Sequence, residues 1–127
     1  MVRQSFPIAL GIFLLAIAVV NAFANEYTWY WTVRWFDMPM HFAGGAWVSG
    51  VVLWRTFFSR GVAESHASFK GLALWGVFGA LVVGLGWEIY ESAISFFIEG
   101  HINDILDTAD DLFFDALGAF AVVCLIH

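Results

Sequence analysis

Five basic residues in a chain of 127 are too few to build a surface that tracks a phosphate backbone, and eleven acids leave a formal charge of -6. Nucleic acid is excluded as a partner on that ground, and no polybasic run is present to hold anionic lipid. Cys124 is the single cysteine, which excludes an internal disulfide and a thiolate metal cage. The chain also lacks a Gly-x-Ser-x-Gly elbow, a His-Glu-x-x-His pair, a Cys-x-x-Cys pair and the paired Glu-x-x-His of ferritin-like di-iron bundles. No internal repeat or low-complexity tract interrupts it.

Hydrophobic residues make up 61% of the chain, charged residues only 13%, and the mean hydropathy is +0.81. That balance points to a multi-pass protein of the cell membrane. Apolar stretches at about 6–24, 38–58, 71–97 and 108–126 have spanning length, the last only with the polar turn before Leu112. The expected fold is all-α: a single transmembrane domain over 1–127, folded as an integral membrane four-helix bundle. The first stretch has features of a secretory signal, with Arg3 ahead of the apolar run and Ala22-Phe23-Ala24 at its end. We read it as a retained first helix.

The aromatic segment from Glu26 to Phe36 suits the headgroup level of a membrane. Arg3, Arg55, Arg60 and Lys70 fall on one side of the predicted spans and Arg34 alone on the other, so both termini are expected in the cytoplasm. Almost all the acid then lies toward the outer face. Gly44, Gly45, Gly76, Gly84, Gly118 and their small neighbours allow close helix packing, and no strand-to-helix turn accompanies them as a phosphate loop would need.

The acids are grouped. Asp37 and His41 are four apart and share a helix face. Asp37 followed by Met38-Pro39 has the pattern of a helix start, where an aspartate serves as a cap; a cap does not explain His41 one turn further in. Glu88 and Glu91 lie toward the C-terminal end of the third stretch, where the helix dipole disfavours negative charge; their bland alternative is a water-exposed end of an over-long helix. Asp107, Asp111 and Asp115 repeat every fourth residue, drifting about 40° per step. Thr108 with Asp111 resembles a capping box, but Asp115 is too deep for a cap.

All three groups start from one membrane side. If Asp37, His41, Glu88, Glu91, Asp111 and Asp115 converge, their like charges demand protons or a cation. Five carboxylates and one imidazole suit a divalent metal such as Mg, Mn, Ca or Fe better than Zn. His101, in the loop above, is a weaker candidate ligand. Arg34 is placed to attract an anionic headgroup or to pair with Glu26 or Asp37.

The strings Asp37-Met38-Pro39-Met40-His41-Phe42-Ala43-Gly44-Gly45, Trp87-Glu88-Ile89-Tyr90-Glu91 and Asp107 to Gly118 resemble small polytopic membrane proteins of the YjdF-like type. They are more distantly similar to the VanZ-like family. The resemblance implies that Asp37, His41, Glu88, Glu91, Asp111, Asp115 and Gly118 occupy the family's polar helix positions. VanZ-like proteins are linked by name to glycopeptide resistance and the cell envelope, but the arginine-bearing helix often seen in them is missing here.

Three functions fit these features. The first is a metal-dependent hydrolase or transferase acting on a lipid-linked or amphipathic substrate at the outer leaflet, with His41 and Glu91 transferring protons. The second is a cation or proton transport protein, as a homo-oligomer because four helices leave little room for a path. The third is an accessory structural subunit whose acids bind a partner or organise water. Membrane lipid surrounds the chain in all three.

Overall fold

The computed structural model describes residues 2–59, 67–100 and 104–127. These are all-helical, with no strand among the described residues. Four long helices form: α1 (Val2–Glu26), α3 (Asp37–Leu53), α4 (Phe69–Ile94) and α5 (Ile105–Ile126); α2 (Trp29–Thr32) is a single turn between the first two. A π-helical turn extends α3 through Trp54–Phe58 and another extends α4 through Ser95–Glu99. Ser59 to Lys70 and Gly100 to Asn103, expected to be loops, lie partly outside the described residues, as does His101.

Length and composition alone make Ser5–Glu26 and Phe69–Glu99 able to cross a membrane. The second has 31 residues, or roughly 45 Å of helix against about 30 Å of hydrocarbon.

Helices α3, α4 and α5 pack on one another, and α1 lies against α3. The buried residues of α4 are Leu72, Gly76, Ala80, Gly84 and Glu88, one every fourth position. Such a row stays on one face because four residues overshoot one turn only slightly. It is small enough in the middle for backbones to approach. A Cβ on Gly45 would collide with the Asp115 carbonyl, and one on Gly118 with the Phe42 carbonyl, so α3 and α5 touch backbone to backbone. Leu53, Leu72 and Val123 fill one end of this interface, with Phe57, Phe58 and Ile126 packed around them. Arg55 and Lys70, both exposed, flank that end.

Helix α1 is held on α3 by few contacts. Trp47 Nε1 donates to the Leu10 carbonyl at 3.0 Å, and a Cβ on Gly50 would meet Leu10 Cδ2. At the other end Tyr30 donates its hydroxyl to Asn21 Oδ1 at 2.7 Å, tying α2 to α1. Trp29 and Tyr30 both set ring edges against Phe36, at 5.4 and 5.1 Å between centroids.

Two helix starts differ from the sequence expectation. Asp37 is the first residue of α3 but no side chain caps that helix, which leaves the Asp37 carboxylate available to His41. The start of α5 is capped by Asp104, whose Oδ1 accepts from Leu106 N at 3.1 Å. The Thr108–Asp111 capping box is therefore not formed: the cap sits one turn earlier and both side chains point elsewhere.

Candidate metal centre

The end of the α3–α4–α5 interface opposite Leu53 is polar. His41, one turn into α3, is 10% exposed and meets three aspartates. Its Nδ1 lies 3.3 Å from Asp115 Oδ1, and its Nε2 lies 3.7 Å from Asp37 Oδ1 and 3.6 Å from Asp111 Oδ2. Asp37 is on the same helix face as His41, whereas Asp111 and Asp115 reach across from α5. Asp111 and Asp115 are 4% and 5% exposed, so their carboxyl groups lie out of water.

The two ring nitrogens have different surroundings. Nδ1 has one carboxylate within hydrogen-bonding range, which suits an N–H donor aimed at Asp115. Nε2 has two carboxylates beyond ordinary hydrogen-bond length. Asp37, His41 and Asp111 each offer a ligand atom, and the three atoms lie within 4.8 Å of one another. Ligands on a common divalent ion stand about 3–4.5 Å apart, given bonds of about 2.0–2.6 Å.

Glu88 faces the same interface from α4. It is 3% exposed, and its Oε2 accepts from the Thr108 hydroxyl at 3.1 Å. Thr108 is the site residue that sequence reasoning assigned elsewhere. Its position three before Asp111 and seven before Asp115, on one helix face, is the signal that could have placed it here. Glu91, one turn beyond Glu88, is half-buried and stands outside the group of three ligand atoms. Burial, followed by the charges of Asp37 and Glu91, raises the pKa of the Tyr30 hydroxyl above the ordinary tyrosine value. Tyr30 thus remains a hydrogen-bond donor at the edge of the acidic end.

Other candidates fall away from this cluster. Asp107 is exposed on the first turn of α5, because the drift of its fourfold stripe has turned it out of the interface. Asp110 is exposed as well. Arg34 is exposed and makes no ion pair with Glu26 or Asp37 among the described residues. Cys124 is exposed.

Residues 2–127 match a family model described as "Predicted membrane protein (DUF2238)". The chain belongs to this family. The match makes the DUF2238 chain a membrane protein, and it covers α1 and the polar end alike; it does not carry the YjdF-like or VanZ-like names. No curated protein and no solved structure matches the chain.

Proposed function

We propose that this DUF2238 protein is a multi-pass membrane metalloprotein that holds a divalent cation between Asp37, His41 and Asp111. Four helices span the bilayer, with both termini in the cytoplasm and the acidic end toward the outer face. The observation that carries this reading is the pair of environments around His41. An imidazole that donates from one nitrogen to a carboxylate and turns the other toward two carboxylates has the arrangement common to metal-bound histidines. Asp115 then orients His41 and Asp111 and Asp37 complete the ligand set. Oxygen donors with one imidazole favour Mn, Mg, Ca or Fe(II) over Zn.

A divalent ion at such a centre polarises a phosphoryl or carbonyl oxygen and lowers the pKa of a bound water. With Glu91 beside the cluster as a proton acceptor, the reaction class that fits is hydrolysis or group transfer on an amphipathic or lipid-linked substrate. Transport fits less well. A route across the membrane needs polar groups below the site, and Ser49 is the other buried polar residue among the described ones. Its hydroxyl is already given to the Ala119 carbonyl, at 3.3 Å.

The test is calorimetric titration of the purified, metal-stripped protein with Mn2+. Asp111→Asn and His41→Ala should each weaken binding by at least about 100-fold, as removal of a direct ligand does. Equal affinity in wild type and both variants, or no binding by the wild type, overturns the reading.

A further inference from the structure

The ligand set of Asp37, His41 and Asp111 leaves two acceptors in the same interface unused. Glu88 Oε1 and Asp115 Oδ2 are buried and have no hydrogen-bond partner. The other oxygen of each is engaged, Glu88 Oε2 by Thr108 and Asp115 Oδ1 by His41. The two free oxygens come from facing helices. A Cβ on Gly84 would collide with Asp115 Oδ2, so that oxygen rests on the α4 backbone one turn before Glu88. Helical side chains lean toward the N-terminus of their helix, which tilts the Glu88 stem over Gly84 and toward Asp115.

If Asp37, Asp111, Asp115 and Glu88 were all ionised beside a neutral His41, one divalent ion would offset only two of the four charges. Asp37 is the most exposed of the four, its side chain 40% accessible. Glu88 and Asp115 lie almost fully out of water, where a charge is offset by a cation or removed by a proton.

We propose that Glu88 Oε1 and Asp115 Oδ2 hold a second divalent cation, making a paired-metal centre in which Asp115 serves His41 with one oxygen and the second ion with the other. The inference rests on the metal-binding reading above and extends it. Paired divalent ions would clamp the attacking and leaving oxygens of an in-line displacement, chemistry that fits a phosphate ester carried by an amphipathic molecule. Thr108 is a positioning residue, fixing the Glu88 carboxylate through its hydroxyl.

Full-length protein in detergent, equilibrated with Mn2+, should contain two ions per chain by elemental analysis and give the electron paramagnetic resonance signature of an interacting pair. Glu88→Gln should fall to one ion per chain with the spectrum of an isolated Mn2+. Thr108→Val, which keeps the carboxylate, should lower affinity for the second ion alone and covers the case in which Glu88→Gln does not fold. One ion per chain in the wild type, with an isolated-ion spectrum, overturns the second site while leaving the first intact. No ion at all overturns both.

Discussion

Leu53, Leu72 and Val123 close one end of the α3–α4–α5 interface at 0–2% exposure, and Glu88, Asp111 and Asp115 occupy the other at 3–5%. Equal burial has opposite meanings at the two ends. Apolar side chains packed between helices gain van der Waals contact, although lipid tails would solvate them nearly as well. Buried carboxylates lose their hydration and repel one another, which costs several kcal/mol per uncompensated ion. Packing alone does not favour the acidic end, where each buried carboxylate needs a proton, a hydrogen-bond donor or a cation to offset its lost hydration. Between the ends lie Ser49, Gly76, Ala80 and Ala119, small enough to bring the three backbones together and hold both ends in register.

The sharpest way to break this comparison is to damage the apolar end. Leu53→Ala should lower stability in detergent unfolding by roughly 2 kcal/mol, near the low end for a buried leucine because lipid-like surroundings weaken the transfer contribution. Mn2+ affinity should stay within about twofold in titrations of the folded protein; a large loss of affinity would mean that the ends are not separable. Next in size, Asp115→Asn should reduce affinity for the Mn2+ on His41 about 10–100-fold, the usual effect of removing a histidine's orienting carboxylate, and should remove the second ion as well. Retained affinity would show that Asp115 does not orient His41. The smallest effect belongs to the middle layer. Ser49→Ala removes one interhelical hydrogen bond and should cost about 0.6 kcal/mol in the same unfolding assay, with no change in Mn2+ binding.

Much of the helical framework was legible in the chain. The apolar stretches at about 6–24 and 71–97 fall within helices that run further, over Val2–Glu26 and from Phe69 to Glu99, because unpaired backbone is costly away from water. The start of α5 was misread. Thr108 and Asp111 have capping-box spacing, yet Asp104 has the same capacity one turn earlier and leaves Thr108 free to bond Glu88. The single turn α2 carried no signal, since four aromatic-rich residues show no period. The grouping of the acids was visible as spacing within each helix, but Asp107 and Asp115 look alike in the stripe and differ in the fold: one is exposed, the other buried.

Sequence by itself determined that these segments are helical and that acids crowd one end of three of them, because hydrophobic periodicity and charge placement are local properties. Only the tertiary structure decided which acids meet. His41 and Asp115 are separated by 74 positions, and their contact depends on the rotation of α3 and α5 about their own axes. That rotation is set where Gly45 and Gly118 let the two backbones touch and where Gly84 makes room for the Asp115 carboxylate.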